Sequence, residues 1–160
     1  THQVSQLLER HQALVQTTHQ EVLPFYENIL SNSNCLILLA DDRGQLLKSW
    51  GTQRFVEPSH AQGFMAGASW IERGTGTNAI GTALVAETPT LVHADEHFMH
   101  ANHFLTCSAA PILDPRGNIL GVLDVSGDWL QVEDNAGARG WAREADVRRL
   151  DVAPATPSQG

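Results

Sequence analysis

The stretch at residues 70–84, Trp-Ile-Glu-Arg-Gly-Thr-Gly-Thr-Asn-Ala-Ile-Gly-Thr-Ala-Leu, constrains the fold of this chain more than any other feature of its sequence. Gly74 and Gly76 tolerate backbone angles that a side chain would forbid, so they predict a tight loop that opens a helix. Thr75 or Thr77 is expected to cap this helix, because a hydroxyl there accepts an unpaired amide proton of the first turn. The residues that follow predict a short helix that forms the wall between a sheet and a cavity.

These glycines do not form a convincing nucleotide-binding loop. A dinucleotide fingerprint needs Gly-x-Gly-x-x-Gly directly after a buried strand, and the third glycine is missing after Gly76. The residues before Gly74 are charged, and the chain contains no Gly-x-x-x-x-Gly-Lys-Ser/Thr motif. Gly81 and Ala83 instead keep the predicted helix thin, so that it can lie close to a sheet.

Length and charge exclude several classes of protein. A chain of 160 residues predicts one domain with a substantial core. Its formal net charge of -8 argues against nucleic acid contact, because phosphate neutralisation needs a basic face. Two cysteines are too few for a disulfide framework and favour the reducing cytoplasm. The longest apolar run, at residues 35–40, is too short to span a membrane. Because the chain opens at Thr1 with no secretory leader, we expect a processed or excised cytoplasmic fragment.

Turns between apolar runs predict five strands. Residues 35–40 are continuously apolar, which is typical of a central strand. Asp-x-x-Gly turns at Asp41 and Asp114 each separate two apolar runs, so they predict two hairpins of similar construction. The predicted strands cover residues 35–40, 45–50, 90–92, 105–113 and 119–126. Hairpins with helices between them predict an α+β fold on an antiparallel sheet.

The other predicted helices lie before and between these strands. Apolar positions at helical spacing run through residues 2–30, with a break expected at Pro24. A short helix and a loop are expected within residues 53–69, and Asp95 can cap a helix over residues 96–103. The first helix can pack either on another chain or on its own sheet. Since its apolar stripe lacks a partner helix in the chain, we expect a homodimer formed through it.

The composition changes after Asp128, where glycine, proline and arginine accompany few apolar residues. Trp129 and Trp141 can hold a short helix, whereas the chain beyond Leu150 is expected to be unstructured. The chain is therefore divided into a domain at residues 1–129, which includes the amino-terminal helix, and an atypical, partly disordered tail at residues 130–160.

Several motifs occur in the order found in one known family. They are Trp70-x-Glu72, Gly-Thr-Asn-Ala-Ile-Gly-Thr-Ala-Leu at residues 76–84, Glu96-His97-Phe98, Leu-Thr-Cys-Ser-Ala-Ala-Pro-Ile at residues 105–112, and Asp-x-x-Gly-x-Ile-Leu-Gly-Val-Leu-Asp-Val-Ser-Gly at residues 114–127. The series resembles the amino-terminal GAF domain of bacterial activators of sigma-54-dependent transcription. The likeness covers residues 5–129 and is nearest to the regulators of acetoin and of dihydroxyacetone or glycerol catabolism.

This resemblance implies a PAS-like antiparallel sheet with helices on both faces and a small-molecule pocket on one of them. It also implies a parent protein with an ATPase module and a helix-turn-helix, neither of which is expected in this chain. Residues 132–160 lack the amphipathic helix that usually ends such a domain. A truncated or frameshifted coding sequence and a diverged stand-alone protein both explain this departure.

The resemblance also supplies a ligand class, a small hydroxyketone or polyol that the domain binds without transforming. The expected ligand-binding residues are Trp70, Thr77, Asn78, His97, His103 and Cys107. They combine an aromatic wall with neutral donors and acceptors, which suits hydroxyl and carbonyl groups. Arg73 is the only Lys or Arg within residues 70–107, so a strongly anionic ligand would be poorly compensated. We expect no catalytic residue and no cofactor.

A metal or redox sensor is the main alternative. It would use a cluster of imidazoles and one thiol, namely His93, His97, His100, His103 and Cys107. On a helix the first three would share one face, and zinc or iron accepts such ligands. The other interpretation of these histidines is a polar lid that hydrogen-bonds to water, backbone or ligand, and we expect no stoichiometric zinc or iron.

A small cysteine enzyme is the third possibility. Some GAF proteins reduce free methionine sulfoxide with cysteines, and here such chemistry would need Cys35 next to Cys107 in space. Both thiols open predicted buried strands, where a free cysteine is usually a small core residue. Asp124 lies in an apolar strand, so it either turns to an edge or is a satisfied buried acid.

Overall fold

Two structural units divide the chain, Thr1–Asp128 and Trp129–Gly160. The computed structural model describes residues 2–25, 35–51, 62–103, 105–127, 129–133, 137 and 139–143. The first unit contains a five-stranded sheet with helices, and the second contains a two-stranded hairpin. No helix within these ranges is long and apolar enough to cross a membrane.

The predicted amino-terminal helix is present as two helices, α1 (His2–Arg10) and α2 (Gln12–Phe25). They are separated at His11. Its N–H still donates to the Leu7 carbonyl (3.3 Å), and its carbonyl still accepts from Val15 N–H (3.0 Å), as in a helix. The helical period therefore continues through the junction. The break expected at Pro24 does not occur there, because this proline lies in the last turn of α2, and residues 26–30 lie outside the described part of the chain.

The central sheet contains all five strands that the sequence predicts. They are β1 (Cys35–Asp41), β2 (Leu46–Gly51), β3 (Thr90–His93), β4 (Thr106–Leu113) and β5 (Ile119–Gly127). Their order is β2-β1-β5-β4-β3, and every neighbouring pair is antiparallel. The α+β fold is confirmed. β5 lies in the middle of the sheet, so it is hydrogen-bonded to a neighbouring strand on each side.

Helices α1 and α2 pack on one face of this sheet. Alternate side chains of β1 point to that face, and the cluster there includes Ile37, Leu39, Leu7 and Val22. The apolar stripe of the amino-terminal helices is thus buried against the domain's own sheet. The reason given for a homodimer, an uncovered apolar stripe, is therefore wrong, although dimerisation itself stays a prediction.

Two further helices precede β3, namely α3 (Glu72–Thr75) and α4 (Ala79–Ala86). α4 covers the opposite face of the sheet through Ile80 and Ala83, which pack against the alternate β1 side chains, including Leu36 and Leu38. The short wall-forming helix predicted from residues 70–84 is thus present.

The helix predicted over residues 96–103 is wrong. Two single 3-10 turns occupy this segment, Ala94–Glu96 and His100–Asn102. The backbone bonds of the segment return to the start of β4, since Ala94 N–H donates to the Leu105 carbonyl (2.9 Å) and Leu105 N–H to that of Asn102 (3.0 Å). These bonds close a loop rather than extend a helix. Before α3, only residues 62–69 of the segment predicted as helix and loop are described, with one 3-10 turn at 62–64.

The second unit contains strands β6 (Trp129–Glu133) and β7 (Arg139–Arg143), paired antiparallel with Trp129 opposite Arg143. The short helix expected around Trp129 and Trp141 is therefore replaced by a hairpin. Residues beyond 143 lie outside the described part of the chain, so an unstructured end stays a prediction.

Candidate functional site

Asn78 organises the start of α4. Its backbone is extended, with a φ of -155°, and its side-chain oxygen accepts from Gly81 N–H at 2.8 Å. Its amide nitrogen donates towards the carbonyls of Trp70 (3.0 Å) and Gly76 (2.9 Å). Asn78 is 2% exposed. Its side chain therefore caps α4 and fixes the preceding glycine loop at the same time.

The expectation that a threonine caps α4 is wrong for both candidates. Thr75 ends α3, and its hydroxyl donates to the Ile71 carbonyl at 3.0 Å. Thr77 is exposed. Asn78 is better placed than either residue, because an asparagine carries an acceptor for the helix amide and donors for the loop carbonyls in one group.

Gly81 allows a close approach, but not towards the sheet as expected. A Cβ at this position would lie 2.7 Å from both the Trp70 carbonyl oxygen and the Glu72 backbone nitrogen. Any larger residue would therefore push α4 away from the segment that carries Trp70. The helix meets the sheet through Ala79 and Ala83, whose small side chains are fully buried.

A small cavity lies between α4 and the sheet. Its volume is about 10 Å³, which is roughly the space that one water molecule needs. The lining residues come from β1, β4, β5, α4 and the loop before α4, and they are Leu38, Trp70, Asn78, Ala79, Ile80, Cys107, Asp124 and Ser126. Three of the residues predicted to bind ligand, Trp70, Asn78 and Cys107, are thus brought together here.

Three polar side chains of β4 and β5 form a hydrogen-bonded row along the floor of this cavity. The Ser126 hydroxyl donates to Asp124 Oδ2 at 2.5 Å, and Cys107 Sγ lies 3.1 Å from Ser126 Oγ. Asp124 Oδ1 is buried and has no hydrogen-bond partner among the residues that the structure describes. One carboxylate oxygen in the floor of the cavity is therefore held in place while the other remains available.

Burial dominates the acid–base properties of this row. It raises the pKa of Asp124 from 3.8 to about 7, with the hydrogen bond from Ser126 acting in the opposite direction. Burial and the neighbouring Asp124 charge raise the pKa of the Cys107 thiol well above its usual value. Because a thiolate is the reactive form of cysteine, the protonated Cys107 is a poor nucleophile and serves better as a weak polar contact.

The two cysteines cannot act as a redox pair in this fold. Cys35 in β1 lies opposite Gly127 of β5, and Gly127 lies opposite Thr106 of β4. One strand therefore separates Cys35 from Cys107, which is about 10 Å at the usual strand spacing. Their side chains also belong to the cores on opposite faces of the sheet, and neither is in a disulfide. The geometry that a two-cysteine enzyme would need is absent.

Trp70 lines both the small cavity and a larger hollow of about 280 Å³. Its indole N–H donates to the Gly63 carbonyl at 2.6 Å, and its ring centroid lies 5.3 Å from that of Phe64. The hollow is lined by Gly63, Phe64, Ser69, Trp70, Thr75, Met99, Ala101 and Asn102. Trp70 is the residue common to both linings, so it borders both spaces.

His97 and His103 lie outside both linings, as does the exposed Thr77. His97 Nδ1 donates to the Ala94 carbonyl at 2.9 Å, which leaves Nε2 as a buried acceptor with no partner in the described part of the chain. Burial lowers the pKa of His97, so the ring is neutral at physiological pH. His103 Nε2 donates to the His97 carbonyl at 3.0 Å. Both rings therefore hold the loop that follows β3.

The helical face proposed for a histidine metal site does not form. His93 ends β3, and its Nδ1 lies 2.7 Å from the Thr106 hydroxyl. His100 is exposed, with its ring 4.5 Å from that of His103. The residues are spread over a strand and two short turns, so His93, His97 and His100 share no helix.

Sequence reasoning did not assign Asp124 and Ser126 to the site, and the structure places both on its floor. The sequence feature that could have identified them is their spacing along β5. Val122, Asp124 and Ser126 alternate along β5, so an acid at an inward position of a central strand has to be either paired or available to a ligand. Among the described residues, one carboxylate oxygen of Asp124 is hydrogen-bonded and the other is not.

The GAF domain family matches residues 10–151 of the chain. The acetoin dehydrogenase operon transcriptional activator AcoR of Bacillus subtilis (strain 168) is 38% identical over 106 residues, which make up 64% of this chain and 18% of that protein. The acetoin catabolism regulatory protein of Cupriavidus necator is 38% identical over 91 residues, 57% of this chain and 14% of that protein. The chain thus spans less than a fifth of the length of these curated relatives.

A solved structure has the same fold. The crystal structure of the E. coli DhaR(N)–DhaL complex superposes with a TM-score of 0.72 at 20% sequence identity, and the match covers 78% of this chain and 43% of that one. The antiparallel sheet with helices on both faces is therefore shared with that protein.

Proposed function

The chain belongs to the GAF domain family, and from that membership we propose that it senses a small hydroxyketone or polyol for a transcriptional activator, in the cavity beneath α4. The relatives described above are transcriptional regulators, so the chain is a regulatory domain rather than an enzyme. Both carry acetoin in their names, which supports the hydroxyketone class. Output domains with ATPase and DNA-binding functions would belong to the rest of the parent protein.

The unpartnered Oδ1 of Asp124 is the observation that carries this proposal. A buried acceptor without a hydrogen bond costs about 1–3 kcal/mol, more if it is charged. A ligand hydroxyl would donate to this oxygen and recover that free energy. Ser126 occupies the other carboxylate oxygen at 2.5 Å, so the free oxygen cannot easily turn away.

The charge of the site favours a neutral ligand. Asp124 is the acidic group of the lining and is about half ionised near pH 7, and no Lys or Arg is among the lining residues. A phosphate or carboxylate would meet a buried acid of the same sign. Hydroxyl groups can instead donate to Asp124, while the Cys107 sulfur and the Trp70 ring supply a polarisable contact and an apolar wall.

The size of the cavity implies that binding changes the domain. A volume of about 10 Å³ holds roughly one water, whereas acetoin has several heavy atoms. Trp70 is the wall shared with the 280 Å³ hollow, so a shift of its ring would merge the two spaces. The Trp70 carbonyl also accepts from Asn78, which caps α4. Ligand binding would therefore move the start of α4 and shift the population between two arrangements of the helix.

We further propose that the domain acts as a cytoplasmic homodimer. One side of α2, the last residue of α1 and the exposed Leu113 and Leu120 at the end of the β4–β5 hairpin border one hollow of about 670 Å³. Because the apolar stripe of α1 and α2 is buried, the exposed leucines of the hairpin would supply the apolar contact surface of the dimer.

Thermal denaturation in the presence of matched compounds tests the ligand class. Acetoin and 2-butanone share a carbon skeleton and a ketone but differ in one hydroxyl. We expect millimolar acetoin or dihydroxyacetone to raise the melting temperature by mass action, while 2-butanone and lactate leave it unchanged.

Equal shifts with acetoin and 2-butanone would mean that apolar filling, not the Asp124 hydrogen bond, determines binding. No shift with any neutral hydroxylated compound would contradict the small-ligand function of this chain. Buffer-matched samples with trimethylamine N-oxide, an osmolyte without hydroxyl groups, at the same concentration control for general osmolyte stabilisation.

A further inference from the structure

Three side chains that can ligate a metal converge where the α1–α2 junction meets the turn between β1 and β2. They are His11, Asp41 and Asp42, and one donor atom of each lies within 4.8 Å of the others. We propose that these residues bind one divalent transition metal ion, zinc or an ion of similar chemistry, with water completing its coordination. This proposal departs from the expectation, stated above, that the chain binds no stoichiometric zinc or iron.

His11 is oriented as a metal ligand. Its Nδ1 lies 3.0 Å from the Leu7 carbonyl, which can only accept, so Nδ1 carries the proton and Nε2 presents a lone pair. Metal-bound histidines usually donate their second ring nitrogen in this way, because the bond fixes the tautomer and the ring orientation. The His11 side chain is 22% exposed, so an ion in solution can reach it.

Asp41 directs a fixed oxygen at this lone pair. It is 1% exposed, and its Oδ1 accepts from the backbone N–H groups of Arg43 (2.9 Å) and Gln45 (2.8 Å). No hydrogen bond within the described ranges reaches its Oδ2, which lies 4.0 Å from His11 Nε2. Two acceptors thus lie 4.0 Å apart at the edge of the domain, with no donor between them among the described residues. A cation placed between them would satisfy both groups.

The separation of these two atoms fits an ion better than a direct hydrogen bond. A distance of 4.0 Å exceeds the usual limit of about 3.2 Å for a hydrogen bond. Ligand bonds of about 2.0–2.1 Å at a tetrahedral angle would place two ligand atoms about 3.3 Å apart, so a movement of less than about 1 Å closes the site. Asp42 is exposed and next in sequence, so its carboxylate can approach from the solvent side.

The second Asp-x-x-Gly turn provides an internal comparison. Asp114 Oδ1 accepts from the backbone N–H groups of Arg116 and Asn118, both at 2.8 Å, as Asp41 Oδ1 does in the first turn. Its Oδ2, however, accepts from the Asn118 side-chain amide at 2.8 Å. The turn therefore tolerates a fully satisfied aspartate, and the open oxygen of Asp41 is specific to the turn that His11 approaches.

A metal ion at this position would connect the amino-terminal helices to the sheet. His11 lies between α1 and α2, and Asp41 ends β1. None of the three proposed metal ligands lines the cavity beneath α4. The ion would stabilise the folded chain by mass action, independently of a metabolite in that cavity.

Cobalt and zinc titrations of the chelator-treated full chain test this proposal. We expect one Co²⁺ per chain with the visible absorption of a site with nitrogen and oxygen ligands, displacement by Zn²⁺, and a higher melting temperature with either ion. His11→Gln and Asp42→Asn should each weaken binding at least tenfold in calorimetry, while Asp114→Asn and His100→Gln should leave it unchanged.

Asp42 is exposed, so Asp42→Asn provides the test even if His11→Gln disturbs the helix junction; circular dichroism checks both. Wild-type affinity no greater than that of the His11→Gln/Asp42→Asn double variant would overturn the proposal. Loss of binding in His100→Gln with unchanged binding in Asp42→Asn would place the ion within residues 93–103 and overturn it as well.

Discussion

Replacement of Asp124 by asparagine should change how the stability of the domain depends on pH. The carboxyl has a pKa of about 7 in the folded chain against 3.8 ordinarily, because burial disfavours its charged form. The folded state therefore holds a proton between about pH 4 and pH 7 that the unfolded state has released. Stability is greatest below the lower value and falls as the pH rises through the higher one.

The size of this effect follows from the difference between the two pKa values. About three pH units at about 1.4 kcal/mol each give roughly 4 kcal/mol over the whole range, of which roughly 3 kcal/mol lies between pH 5 and pH 8. Asparagine has nearly the same shape and does not titrate. The free energy of unfolding of Asp124→Asn minus that of the wild type should thus increase by roughly 3 kcal/mol from pH 5 to pH 8.

Urea denaturation followed by tryptophan fluorescence at several pH values measures this difference. His97 and Cys107 also have shifted pKa values, but both are present in the two proteins, so their contributions largely cancel. Asp114→Asn is the matched control. Bonds from Asn118 lower the pKa of the exposed Asp114, so its contribution is lost only below about pH 4 and adds no slope between pH 5 and pH 8. If the difference in free energy of unfolding between Asp124→Asn and wild type stayed constant from pH 5 to pH 8, the raised pKa of a buried Asp124 would be refuted.

Three further predictions concern the cap, the thiols and the assembly. Asn78→Ala should lower the free energy of unfolding by about 3 kcal/mol, because it removes the helix cap and leaves buried carbonyls without donors, whereas exposed Thr77→Ala should change it by less than about 0.5 kcal/mol in the same denaturation assay. Cys35 and Cys107 should resist alkylation in the native chain, form no disulfide with each other under mild oxidation, and react fully in denaturant, as mass spectrometry would show. Light scattering at high micromolar concentration should give the mass of a dimer, and a monomer there would contradict dimerisation through the α1–α2 surface.

Much of the architecture could be predicted because local patterns determine it. The apolar run before Asp41 and the two Asp-x-x-Gly turns specify paired strands without any long-range information. The family resemblance rested on motifs spread along the chain and is confirmed. The same local reasoning failed at residues 96–103, where bonds to the start of β4 replace helical bonds, and at the β6–β7 hairpin.

The candidate site could be predicted only in part, because its members meet through the sheet. Trp70 and Cys107 are far apart in sequence and line one cavity only because α4 packs above β4. The sequence shows Asp124 as an acid in an apolar strand. That only one of its carboxylate oxygens is hydrogen-bonded depends on Ser126 on the same face of the sheet and on the position of β5 between two strands. The approach of His11 to Asp41 likewise requires the helix junction to lie over the first turn.

Calorimetric titration of acetoin into wild type and Asp124→Val tests the central claim most directly. Valine suits a strand, removes the carboxylate that would accept the ligand hydroxyl, and can be compared with Asp114→Asn, which leaves the cavity untouched. We predict one acetoin per chain for wild type and Asp114→Asn, and affinity at least tenfold weaker for Asp124→Val, which circular dichroism should show to be folded. Equal affinity for wild type and a folded Asp124→Val would place the ligand elsewhere and contradict a metabolite site beneath α4.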